Sequence, residues 1–100
     1  MLIRIVRLTL HPDKLPAFLA LFDQAAPKVR RFPGCRHLEL WQSKDNPGIV
    51  ISYSHWDSAS DLERYRQSDL FRDTWARAKP LFATPAEAFS AERVRTVAEN

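Results

Sequence analysis

The hydrophobic pattern of this chain follows the order strand, helix, strand, strand, helix, strand, and few folds accommodate that order. Residues Leu2 to Leu10 alternate, placing Leu2, Arg4, Val6, Leu8 and Leu10 on one face and Ile3, Ile5, Arg7 and Thr9 on the other. Both faces carry apolar residues, so both are expected to be covered. From Asp13 the period lengthens: Leu15, Phe18, Leu19, Phe22, Ala25, Ala26 and Val29 form one helical stripe. Pro16 falls in the first turn of that helix, whereas Pro27 lies deep enough to kink or split it. Arg30 and Arg31 suit the negative end, and Gly34 is expected to terminate it.

A second strand, Arg36 to Gln42, turns His37, Glu39 and Trp41 to one side and Leu38 and Leu40 to the other. Asp45-Asn46-Pro47-Gly48 then signals a turn, and Ile49 to Trp56 form the other arm of a hairpin. Ser58 with Asp61 resembles a capping box, with Leu62 and Tyr65 pointing inward behind it. Ser68 restarts a helix with the stripe Phe71, Trp75 and Ala78, Pro80 stops it, and a last strand spans Glu87 to Val94. The order βαββαβ predicts an α+β, ferredoxin-like fold, a four-stranded antiparallel sheet with the helices on one face. The other face carries Ile3, Ile5 and further large residues, too much apolar surface for a monomer to leave wet. A homodimer closing two sheets into a dimeric α/β barrel is therefore expected.

At 100 residues the chain is expected to form one domain spanning 1–100, with roughly a third of its unfolded-state surface still exposed after folding. Six Phe and three Trp against two Gly mark a globular chain. No apolar run approaches the ~18 residues of a membrane span, and the first residues do not form a signal peptide. The expectation is cytoplasmic, with no membrane partner. Cys35 is the one cysteine, which excludes an intramolecular disulfide and suits a small buried residue. A net charge of +3, with basic and acidic residues interspersed, names no partner.

Three segments carry a family resemblance across nearly the whole chain. The junction Phe32-Pro33-Gly34-Cys35, the strand end Tyr53-Ser54-His55-Trp56-Asp57-Ser58, and Leu62-Glu63-Arg64-Tyr65 through Ser68-Asp69-Leu70-Phe71 resemble the antibiotic biosynthesis monooxygenase domain. The resemblance implies a dimeric α/β barrel with a pocket between helices and sheet. It also implies oxygenation of phenolic, polycyclic or quinol-like molecules by molecular oxygen, with no metal, flavin or haem cofactor. Many relatives pair a Glu two residues before the strand-ending Trp with a His on the second helix, and those positions hold Ser54 and Tyr65 here. The Asn, Trp and His of the haem-degrading branch fall on Val6, Tyr65 and Trp75, so none of that set is kept.

Chemistry without a cofactor asks the pocket for a dry cavity, a proton acceptor and a donor that steadies an oxyanion. Tyr65 and Ser54 are the first candidates, and His37 and His55 are candidate bases through their imidazoles. Strand parity places both histidines on the barrel side, away from Ser54. Val6, Leu8, Phe18, Phe22, Ser52, Phe71 and Trp75 are the expected walls for a small aromatic ligand, although inward aromatics such as Tyr65 and Trp75 also serve as plain core. Cys35, His37 and Glu39 are expected on one strand face but lack a metal-binding motif, so no metal site is expected. The same element order describes RNA-recognition domains, but Leu2 to Leu10 lacks an aromatic residue and Ile49 to Trp56 lacks the glycine–aromatic motif, so no nucleic-acid partner is expected. A ligand-binding barrel protein without turnover, or a barrel enzyme of another reaction type, remains the alternative.

Overall fold

The computed structural model describes residues 1–98, leaving Glu99 and Asn100 of the expected domain outside the described residues. Strand β1 runs Leu2–Thr9, helix α1 Leu15–Arg30, β2 Cys35–Gln42, β3 Ile49–Trp56, α2 Ala59–Arg66, α3 Asp69–Ala78 and β4 Glu87–Glu92. The strands pair antiparallel in the order β2-β3-β1-β4, with the helices packed on one face. This is the ferredoxin-like α+β arrangement that the pattern predicts.

Local chemistry sets each boundary. Short 3-10 turns at Pro12–Lys14 and Lys79–Leu81 lead into α1 and out of α3, each with proline early in the turn, where its missing amide costs least. Ser58 caps α2 by accepting from the Asp61 amide at 3.1 Å, and Ser68 caps α3 by accepting from the Phe71 amide at 3.1 Å. Pro27 lies within α1 without splitting it. Pro27 and Asp23, four residues before it, are both exposed, so water can satisfy the carbonyl that loses its helical donor. Gly34 does not terminate the helix; α1 stops at Arg30 and Gly34 serves the turn that follows, at φ 91°. The last strand ends at Glu92 rather than Val94, because its partner β1 begins at Leu2, opposite Glu92.

Alternation divides the sheet. Toward the helices point Arg4, Val6 and Leu8 of β1, Val50, Ser52, Ser54 and Trp56 of β3, Leu38 and Leu40 of β2, and Ala88 and Ser90 of β4. Leu8, Leu10, Phe18, Val50 and Ala78 form one buried cluster, and Cys35, Trp56 and Leu62 a second. Leu19, assigned to the inward stripe of α1, is exposed, since the stripe that packs is the narrower one through Phe18, Ala25 and Val29. The opposite face carries Ile3, Ile5, Tyr53, His55, His37, Trp41 and Phe89, and no element among the described residues covers it. Trp41 is 42% exposed and Phe89 58%.

One strand-parity expectation is corrected. Cys35 pairs with Trp56 and His37 with His55, so the register shifts by one residue between them. The bulge sends Cys35 into the core with Trp56 and Leu62, while His37 stays on the open face. Cys35, His37 and Glu39 therefore do not share a face.

Candidate functional site

Between helices and sheet lies a cavity of about 330 Å³, bounded by residues of β1, β2, β3, β4, α1, α2 and α3. That volume sits at the lower end of the usual range for small-molecule sites. Its apolar walls are Val6 and Leu8 from the sheet, Phe18 and Phe22 from α1, and Phe71 and Trp75 from α3. Ser52, Ser54 and Tyr65 supply hydroxyls. Nine of the ten expected site residues thus come together around one space; the tenth, His37, does not reach it. Ser52 and Ser54 alternate along β3 opposite Val6 and Arg4, so the pleat delivers both to the helix side.

Packing fixes the aromatic members. Tyr65 stacks on Trp56 with ring centroids 5.0 Å apart and meets Phe32 and Phe71 edge-on at 5.4 and 5.2 Å. Phe71 stacks in turn on Trp75 at 5.6 Å. Ser54 is buried and its Oγ accepts from Trp56 Nε1 at 3.0 Å, so its role is partly to satisfy the indole. Burial pushes the Tyr65 hydroxyl up to about 12, with the nearby Cys35 thiol adding to the effect. At neutral pH Tyr65 is therefore a hydrogen-bond donor and not a proton acceptor. Burial likewise raises Cys35, whose Sγ contacts the His37 carbonyl oxygen at 3.8 Å.

Two cations also line the cavity, Arg4 and Arg66. Among the described residues around it, Arg4, Tyr65 and Arg66 are the ones with titratable side chains, and no carboxylate or imidazole is present. Arg4 occupies an inward position of β1 that alternation assigns to the helix side, so this charge is legible in the sequence. Trp56, Leu38, Ala86 and Ala88 also line the cavity, and Thr74 of α3 adds a further hydroxyl. Alanines carry little pattern, and nothing in the sequence marks Ala86, just before β4, or Ala88 within it as a cavity boundary.

His37 belongs to a separate cluster on the open face. Its Nε2 contacts Glu39 Oε2, and its ring lies 5.2 Å from that of His55. His55 Nε2 is 2.7 Å from Tyr53 Oη, and Tyr53 stacks on Trp41 at 4.7 Å. Trp41 Nε1 donates to Glu39 Oε1 at 2.9 Å, the leading cause that holds the Glu39 carboxyl below its ordinary value. Among the described residues no group of three or more His, Cys, Asp or Glu is arranged to hold a metal, and no helix is long and apolar enough to cross a membrane.

The family model for antibiotic biosynthesis monooxygenases matches residues 1–77, from β1 through most of α3. The chain belongs to the antibiotic biosynthesis monooxygenase family. Solved structures extend the likeness across β4. A candidate antibiotic biosynthesis monooxygenase from Nitrosomonas europaea superposes with a TM-score of 0.87 at 19% identity, over 95% of this chain and 100% of that one. Rv0793 from Mycobacterium tuberculosis gives 0.87 at 24% identity, over 97% and 98%. A candidate family member from Deinococcus radiodurans gives 0.88 at 17% identity, over 100% and 99%. Identities this low establish the common fold. No curated protein matches in sequence.

Proposed function

We propose that the cavity oxygenates an electron-rich aromatic, a polycyclic phenol or a quinol-like molecule with molecular oxygen and without a resident cofactor. The observation that carries this reading is the pairing of an aromatic-walled cavity with the neutral hydroxyl of the half-buried Tyr65. Family membership and the monooxygenase names of the structural relatives support it.

In such a reaction the ionised substrate gives one electron to oxygen, and the resulting radical pair combines in a new carbon–oxygen bond. The peroxide anion takes a proton. Loss of water then converts a methylene carbon to a carbonyl, so all the electrons that reduce oxygen come from the substrate. Phe18, Phe22, Phe71 and Trp75 would exclude water and hold the ring system, while Tyr65 Oη, aided by Ser52 and Ser54, would donate to the developing oxyanion. Because no carboxylate or imidazole among the described residues lines the cavity, the substrate would enter already ionised.

That same feature favours a second reading, a barrel that binds a hydrophobic ligand without turning it over. Oxygen uptake separates the two. Purified protein with chelator and no added cofactor is assayed against anthrones, naphthols and hydroquinones. Uptake above autoxidation, lost on heating and reduced about tenfold in Tyr65→Phe, is the expected result. Ligand-induced thermal stabilisation without uptake would replace the first reading by the second. We also propose that the working unit is a homodimer formed through the open sheet face.

A further inference from the structure

The structure assigns a second role to one end of the cavity: we propose that Arg4, with Arg66, forms an anion subsite, and that the ligand is a planar aromatic acid whose carboxylate binds there. This rests on the reading of the cavity as an aromatic-ligand site and specifies which aromatics it takes. Arg4 occupies a position where β1 otherwise turns apolar side chains toward the helices, and it is half-buried. Taking a guanidinium partly out of water is costly unless an anion answers it. Among the described residues Arg4 forms no ion pair, and its guanidinium donates from Nη1 to the neutral Ser90 Oγ at 3.2 Å. Burial, and then the charge of Arg66, depress the Arg4 pKa, with Glu63 offsetting part of this. Arg4 is thus left without a charged partner of opposite sign in contact with it among the described residues.

The sheet register gives the cavity two chemically distinct ends. One row across the strands is Leu38, Ser54, Arg4 and Ser90; the next is Leu40, Ser52, Val6 and Ala88. The first row brings hydroxyls to either side of a guanidinium, while Val6 in the second leads to Leu8 and the aromatics of α1 and α3. Arg66 stands at the end of α2, where it also pairs with Glu63 Oε2 at 3.2 Å. Arg66 and Ala88 line the cavity and are exposed, so it opens to solvent between α2 and β4. A flat apolar body inside and an ionised group at this opening is the ligand shape that fits. A carboxylate suits it best, since the planar guanidinium fork matches two carboxylate oxygens.

The test compares 2-naphthoate with neutral, nearly isosteric 2-naphthamide by calorimetry on the wild-type chain at low salt. Naphthoate is expected to bind about tenfold tighter or more, with an advantage that shrinks as salt rises. In Arg4→Met the advantage should fall to within about twofold while naphthamide affinity holds, and Arg4→Lys should restore part of it. Equal binding of the two probes by the wild type, or an advantage that survives Arg4→Met, overturns the anion subsite while the aromatic cavity stands. If neither probe binds, the aromatic cavity itself falls and the subsite with it. The wild-type comparison and its salt dependence decide the matter even if Arg4→Met does not fold.

Discussion

Tyr65 is where structure and chemistry meet most tightly, because the packing that holds the ring also sets the proton. Trp56, Phe32 and Phe71 enclose the ring, and this desolvation is the leading cause of the rise to about 12. An ordinary phenol ionises near pH 10 in an unfolded chain. The folded value is higher, so Tyr65 stabilises the fold fully below about pH 10 and loses that contribution as pH rises toward about 12. The expected outcome is a late step in the tyrosinate absorbance titration, coincident with a fall in the urea midpoint. Tyr65→Phe should remove that step and flatten stability across the same window. If Tyr65→Phe instead removes an ordinary step near pH 10 and leaves a late one in place, the Tyr65 hydroxyl lies in water and its role as a neutral donor falls. Arg4 makes the complementary point. Both residues stand at positions the pattern marks as inward, and in both the polar atom rather than the burial carries information.

At the scale of elements, the parts of the site legible in the sequence were those with a strict period. Alternation in β1 and β3 placed Val6, Leu8, Ser52 and Ser54 correctly, and helical spacing placed Phe18, Phe22, Phe71 and Trp75. Ser58 and Ser68 announced the two helix starts because a hydroxyl cap has a local sequence signature. Parity failed at the start of β2, where a bulge inserts one residue without any pattern of its own. Arg36 is that extra residue, and its guanidinium grips Asp57 at the end of β3 with bonds of 2.9 and 2.7 Å. Gly34 lies just before it, and its carbonyl accepts from the Asp57 amide at 2.9 Å. A Cβ at Gly34 would sit 2.4 Å from the Asp61 Cβ in the first turn of α2, on a backbone with φ +91°. Gly34→Ala is therefore expected to cost about 1–3 kcal/mol for the backbone alone, with the contact adding to it. Urea unfolding checks this, and a midpoint within error of wild type would mean that α2 can retreat freely from the turn. The consequence would extend to the cavity, since α2 also carries Tyr65 and Arg66.

The whole molecule has two faces with different demands. One holds the cavity; the other presents Trp41, Phe89, Tyr53, Ile3 and Ile5 with no cover from the described residues. A second copy is the partner we propose for it, and acid should weaken that dimer. His55 sits near the end of β3 on this face, opposite Ile3 and His37, and burial is the leading cause that lowers its pKa, followed by the charges of His37 and Arg93, with Glu39 acting the other way. Across the rest of the face, Tyr53 bonds His55, while Arg7 of β1 and Glu87 of β4 lie 3.9 Å apart and largely cancel. A depressed imidazole favours the folded state above the unfolded value near 6.5, and that contribution is lost as pH falls through the folded value. Covering the face with a second sheet deepens the desolvation, so protonation of His55 opposes association as well as folding. Sedimentation at micromolar protein should give a dimer near neutral pH and a dissociation constant about tenfold or more higher near pH 5. His55→Gln should remove most of that acid sensitivity while leaving the neutral-pH dimer in place. A monomer at neutral pH would leave the open face without the proposed partner. A dimer indifferent to pH would instead mean that association leaves His55 in contact with water.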